Sequence, residues 1–171
     1  PSGEFRKIGI LLHEELKGGT TEGATLTAYV TISLLEIQKV IPSNEIAQSL
    51  KIAITYLEGQ IQNSTQDPYA MAIITYALSL AQSNQAGYAL TLLNNLATQR
   101  DGMKFWSDPN GQSSKENLTP IEKYHGTTPL EVETASYALM ATLLHRGDAK
   151  SIVKWLTSKM NPQGGFYSTQ D

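Results

Sequence analysis

The chain has 171 residues with 40% hydrophobic and 17% charged content, the size and composition of one folded domain or a large piece of one. A net charge of −3, spread without blocks, gives nucleic acid and anionic membrane surfaces no basic footprint. The absence of cysteine excludes disulfides, thiol catalysis and thiolate metal sites within the chain.

The first informative stretch is residues 10–19, where His13 is followed by Glu14, Glu15 and a glycine pair, Gly18 and Gly19. Imidazole changes charge near neutral pH, so His13 is the residue best suited to act as nucleophile, base or acid. Glu14 and Glu15 have two readings. One is orientation of His13 or proton handling by Glu15; the other is solvated carboxylates favoured at a helix start. Residues 1–5 have neither the basic start nor the apolar stretch of a signal peptide.

Beyond that stretch, two kinds of helix alternate. Residues 26–35, 73–81 and 134–144 are apolar nearly all round, which predicts helices buried on most faces. Each carries a tyrosine, Tyr29, Tyr76 or Tyr137, expected to pack in the core with its hydroxyl satisfied. Residues 43–56, 84–99 and 149–160 instead show one apolar stripe, marked by Leu50 and Ile54, Leu90 and Leu93, and Ile152 and Leu156. These predict helices with one face in water. Ser43 fits the N-cap of the first of them.

The fold class is therefore all-α. Buried helices alternating with half-exposed ones imply an inner and an outer layer, the arrangement of an α/α toroid; a straight helical solenoid is the rival. The tyrosines are unevenly spaced, which disfavours arrays of constant period. Residues 101–128 read as a long linker without periodicity, with Met103, Phe105 and Trp106 expected to pin its start to the body. Residues 164–171 read as a turn into a further helix, so the ring is expected to be only partial. No run approaches the roughly 20 apolar residues of a membrane span. Asn63 and Asn117 head glycosylation sequons, Asn63-Ser-Thr and Asn117-Leu-Thr, the second weakened by Pro120. No ligand spacing joins His13, His125 and His145, so neither metal nor cofactor is expected.

These motifs, in order, carry a family resemblance. Leu-Leu-His-Glu-Glu-Leu-Lys-Gly-Gly at 11–19 is followed by Leu-Thr-Ala-Tyr-Val-Thr-Ile-Ser-Leu-Leu at 26–35 and Gly-Met-Lys-Phe-Trp at 102–106. Then come Glu-Val-Glu-Thr-Ala-Ser-Tyr-Ala-Leu at 131–139, Ile-Val-Lys-Trp-Leu at 152–156 and Gly-Gly-Phe-Tyr-Ser-Thr-Gln-Asp at 164–171. Together they resemble the thioester-containing domain of the complement and alpha-2-macroglobulin family, over essentially the whole chain. The resemblance implies an α/α toroid within a large secreted or surface-anchored protein. There an internal thioester in a Cys-Gly-Glu-Gln segment acylates target surfaces or proteases once exposed.

That segment is absent, so residues 1–171 correspond to the later portion of the domain, whose partners are the rest of the parent chain, its targets and a receptor. His13 matches the position that decides acceptor preference: histidine there implies an acyl-imidazole and transfer to hydroxyls, asparagine or aspartate direct reaction with amines. Glu15 matches a neighbouring acid. The implied chemistry is self-acylation, not turnover catalysis. The alternative function is a binding module, a domain fragment that serves as a receptor or target ligand with no chemistry. Prenyltransferase-like toroids are disfavoured, since their zinc site needs a cysteine.

Overall fold

The computed structural model describes residues 2–8, 23–107, 129–161 and 164–166. Among these run α1 (Gly23–Val40), α2 (Asn44–Gln60), a 3₁₀ turn (Gln62–Ser64), α3 (Pro68–Leu80) and α4 (Ala86–Asn95). A hairpin of β1 (Thr98–Arg100) and β2 (Met103–Phe105) follows, then α5 (Pro129–Leu144) and α6 (Lys150–Ser158). Among the described residues the fold is all-α apart from that hairpin.

Local chemistry sets the boundaries. Ser43 is extended and accepts a hydrogen bond from the Ile46 amide, capping α2 as its sequence context predicts. Asp67 accepts from the Tyr69 and Ala70 amides at 3.0 and 3.1 Å, and Pro68 fills the first position of α3, where no amide partner is needed. The turns out of α3 and α5 share one construction. Gln82 and Arg146 each adopt a left-handed conformation with φ of 56°. The next amides, of Ser83 and Gly147, reach back to the carbonyls of Leu78 and Thr142 at 2.9 Å. This six-to-one bond after a left-handed residue is a Schellman cap, and its recurrence shows that α3–α4 and α5–α6 are versions of one unit.

Contacts along α3 and α5 fix their relative direction. Near their starts, Tyr69 of α3 hydrogen-bonds Glu133 of α5. At their ends, the Ser79 hydroxyl lies 2.9 Å from Nε2 of His145. Start meets start and end meets end, so the two helices run parallel. α1 packs on the other side of α3, and α2 and α4 pack against the inner helices that they adjoin in sequence. The result is an inner row, α1, α3 and α5, backed by α2, α4 and α6.

Small residues make the inner row close. Ala28 on α1, Ala70, Ala72 and Ala77 on α3, and Ala135, Ala138 and Ala141 on α5 are all buried. The buried hydroxyls between them mostly satisfy themselves. Thr31, Ser79, Thr134 and Thr142 each donate to the carbonyl four residues earlier in their own helix, at 2.6–2.7 Å. Among the described residues, only the Thr75 hydroxyl is buried with no partner.

Two expectations need correction. First, only α3 is buried on most faces. α1 buries just Thr27, Ala28 and Thr31, and Tyr29 is 50% exposed instead of packed in the core. The reason is position: α3 packs against both α1 and α5, whereas α1 packs chiefly against α2 and α3. Second, the amphipathic pattern of residues 84–99 overruns its helix. α4 stops at Asn95, and residues 98–105 form a hairpin that straddles the end of that pattern and the start of the linker read from residue 101.

The hairpin fills the outer row. Its register pairs Thr98 with Phe105 and Arg100 with Met103, which puts Gln99 and Lys104 on the opposite face. Phe105 stacks on Trp155 of α6 at 5.5 Å, while Lys104 reaches Asn94 of α4. Trp106 is buried, and its indole N–H donates to the Leu93 carbonyl at 2.8 Å, fulfilling the expected anchor. The hairpin is thus a wedge between the outer helices α4 and α6.

Candidate functional site

His13, Glu14 and Glu15 lie in residues 9–22, outside the described residues, as do Asn117 and His125 in residues 108–128. What the structure gives of the His13 region is its frame. Upstream, residues 2–5 form a strap across α1 and α2. The Phe5 amide donates to the Thr27 hydroxyl of α1 at 3.0 Å. Gly3 has φ of +81°, and a Cβ there would stand 2.5 Å from the Ile52 carbonyl oxygen and 2.9 Å from the Tyr56 Cβ. Only glycine permits both that conformation and that approach. Glu4 follows, and its charge together with burial raises the pKa of Tyr56, burial being the larger cause. Downstream, α1 starts at Gly23 with φ of +64°, and the Thr27 hydroxyl donates to the Gly23 carbonyl at 2.8 Å.

A second polar cluster sits on the inner row. Tyr69 and Tyr76 of α3 both face Tyr137 of α5, each with ring centroids 6.1 Å from it. Glu133, one turn before Tyr137, hydrogen-bonds Tyr69. Burial, reinforced by the Glu133 charge, pushes Tyr69 above the ordinary tyrosine range and Tyr137 up to about 12. These phenols stay protonated at physiological pH. Tyr69 bonds Glu133 across the two helices, and the packing of the three rings clamps α3 to α5. The i,i+4 spacing of Glu133 and Tyr137 was the available sequence signal, but Tyr69 is remote in the chain and nothing local announces it.

His145 and Ser79 resemble a nucleophile–base pair in distance only. Ser79 already donates its proton to the Thr75 carbonyl at 2.6 Å, so the imidazole Nε2–H is the donor in the 2.9 Å contact. The pair ties two helix ends together. Among the described residues no group of three His, Asp or Glu side chains could hold a metal ion. Asn63 is exposed in the 3₁₀ turn, with its amide donating to the half-buried side chain of Gln60 at 3.1 Å.

Comparison with known proteins bears on the same features. The family model for the A-macroglobulin TED domain matches residues 1–171. Ovostatin of Gallus gallus is 32% identical over 178 aligned residues, which cover 99% of this chain and 12% of ovostatin. The chain thus spans about an eighth of the length of that relative. Parallel inner helices rich in alanine and threonine, repeated caps and the ordered motifs from His13 to Gly164 agree with that match along its full extent, and the chain belongs to the A-macroglobulin TED domain family.

Proposed function

We propose that this chain is the later portion of a thioester-containing domain in a secreted protein of innate immunity or protease trapping, and that His13 directs acyl transfer from the thioester to hydroxyl acceptors. The reading is carried by one observation: Leu-Leu-His-Glu-Glu-Leu-Lys-Gly-Gly at residues 11–19 lies inside a family match that spans the whole chain. The two-row arrangement supports the toroid, as an arc of that ring. An accessible Asn63 within its sequon supports passage through a secretory pathway. No helix among the described residues is long and apolar enough to cross a membrane.

The chemistry follows from imidazole. The thioester belongs to a preceding segment of the parent. His13 attacks its carbonyl carbon, the carbon–sulfur bond breaks, and the cysteine leaves as thiolate. The resulting acyl-imidazole is cationic and therefore a good acyl donor. The thiolate takes the proton of an incoming hydroxyl, the ester bond forms, and neutral His13 departs. Glu15 orients His13 or handles its proton. A residue that cannot form the acyl intermediate leaves only direct attack, which favours the more nucleophilic amine.

The test is His13→Asn in the intact parent, activated in the presence of labelled glycerol and labelled methylamine. Glycerol incorporation is expected to fall on the order of a hundredfold, the scale of a lost nucleophilic or general-base group, while methylamine incorporation persists. An unchanged ratio of the two labels removes the catalytic assignment.

A further inference from the structure

From the charges that folding gathers on the outer row, we infer that the hairpin and α6 form a docking surface for a sulfated glycosaminoglycan. The choice of ligand rests on the secreted setting proposed above; the observations do not. The chain is acidic overall, and its charges form no block along the sequence. Folding sorts them. Residues 98–106 and 146–160 meet where Phe105 stacks on Trp155. They hold Arg100, Lys104, Arg146, Lys150, Lys154 and Lys159, six of the 13 basic residues, against two carboxylates, Asp101 and Asp148.

Contacts set these charges side by side. Lys154 donates to the Asp101 carbonyl at 2.8 Å, which brings its ammonium to the hairpin turn beside Arg100. Arg100 shares the hairpin face of Phe105, the face turned to α6. Lys150 precedes Lys154 by four residues, so both leave the same side of α6. Arg100, Lys150 and Lys154 are all exposed. The two carboxylates are engaged locally. Asp101 faces Arg100 at 3.5 Å, and Asp148 accepts from the Lys150 amide at 3.0 Å. Among the described residues, no ion pair engages Lys150, Lys154 or Lys159.

The aromatic rings of this region face inward. Trp106 and Trp155 are only 1% and 4% exposed, with Lys104 and Lys159 standing over them at 5.5 and 5.6 Å. Protein interfaces draw most of their energy from aromatic anchors that a partner can bury. Exposed cations without such anchors suit a ligand bound through its own charges. Among polyanions, the one that a secreted protein meets on cell surfaces and in matrix is the sulfated polysaccharide.

The experiment measures binding of the intact parent to immobilised heparin over a range of salt concentrations. Arg100→Gln, Lys150→Gln and Lys154→Gln together are compared with Lys7→Gln, Lys39→Gln and Lys51→Gln together, which change net charge equally at exposed sites elsewhere. The first set is expected to weaken binding about tenfold or more and to flatten the log–log salt slope by about two, as three cations cease to displace counterions. The second set should stay close to wild type. Lys150→Arg with Lys154→Arg should retain binding, which separates lost charge from a hairpin loosened at Lys154. Equal weakening by the two triple variants reduces the effect to net charge and overturns the surface. Desulfated heparin, poly-glutamate or duplex DNA bound as tightly as heparin overturns the sulfated ligand. A secreted parent that ignores heparin overturns this inference and leaves the proposed function standing. A parent retained inside cells removes that function and the glycosaminoglycan with it.

Discussion

Tyr137 shows how a side chain that reads as core filling acquires an electrostatic role. Its ring packs between Tyr69 and Tyr76, and burial, with the nearby Glu133 charge, raises its pKa to about 12. A phenol whose pKa rises on folding favours the native state in its neutral form. That stability is fully present below the unfolded tyrosine pKa near 10 and is lost as pH climbs from about 10 through about 12. Tyr69 has the same sign and adds to the same limb. Tyr137→Phe is therefore expected to flatten the alkaline fall in stability, measured as urea midpoints from about pH 8 to about pH 11. Parallel alkaline limbs for variant and wild type would show that Tyr137 titrates alike in folded and unfolded chains. The Ser43 cap was legible in the sequence because its partner, Ile46, is three residues away. The Tyr69–Glu133 bond was not, because its partners meet only when α3 and α5 pack.

At the scale of elements, the same distinction separates what the residues disclose from what packing decides. The alternation of two helix kinds was readable from periodicity, and the inner and outer rows follow it, although only α3 is buried on most faces. The hairpin was hidden. Residues 98–105 include Thr98, Gln99, Arg100 and Lys104, a polar run with no strand-like burial, and β1 is exposed throughout. Its stability comes from contacts on both sides: Phe105 on Trp155, Lys104 on Asn94, and Lys154 of α6 donating to the Asp101 carbonyl at 2.8 Å. If the hairpin is a wedge between α4 and α6, loss of Phe105 should be felt by α6. Phe105→Ala is expected to cost about 2–3 kcal/mol, below the usual range of about 3–5 for a fully buried phenylalanine, because Phe105 is only half-buried. Amide exchange should accelerate in α6 more than in α2. A variant that exchanges uniformly faster would mean that the hairpin contributes to the core at large and spaces nothing. The candidate site was legible only as a motif. The sequence singles out His13, which lies outside the described residues; the bond from the Phe5 amide to the Thr27 hydroxyl joins positions 22 residues apart, beyond any local pattern.

At the scale of the whole molecule, the described residues hold one well-covered inner helix and two that are less so. α3 buries 11 of its 13 residues, whereas the flanking α1 and α5 present Ile37, Val40, Leu143 and Leu144 to solvent near their ends. Because α3 and α5 run parallel and α1 flanks α3 as the third inner helix, these side chains belong to the margins of the row and not to its centre. Val40 at 79% exposure and its neighbour Ile41 at 66% are the most accessible of them. Apolar groups exposed together at the margins of the row favour association. The 171-residue chain alone is therefore expected to bind a hydrophobic dye strongly and to form oligomers in light scattering. Val40→Lys with Ile41→Glu should reduce both signals at unchanged helix content, since surface substitutions of this kind usually change stability by about 0.5 kcal/mol or less. Equal dye binding and equal association in the doubly substituted chain would place the sticky surface elsewhere. A dye-silent monomer in the unsubstituted chain would mean that α1 and α5 have no unmet contacts at all.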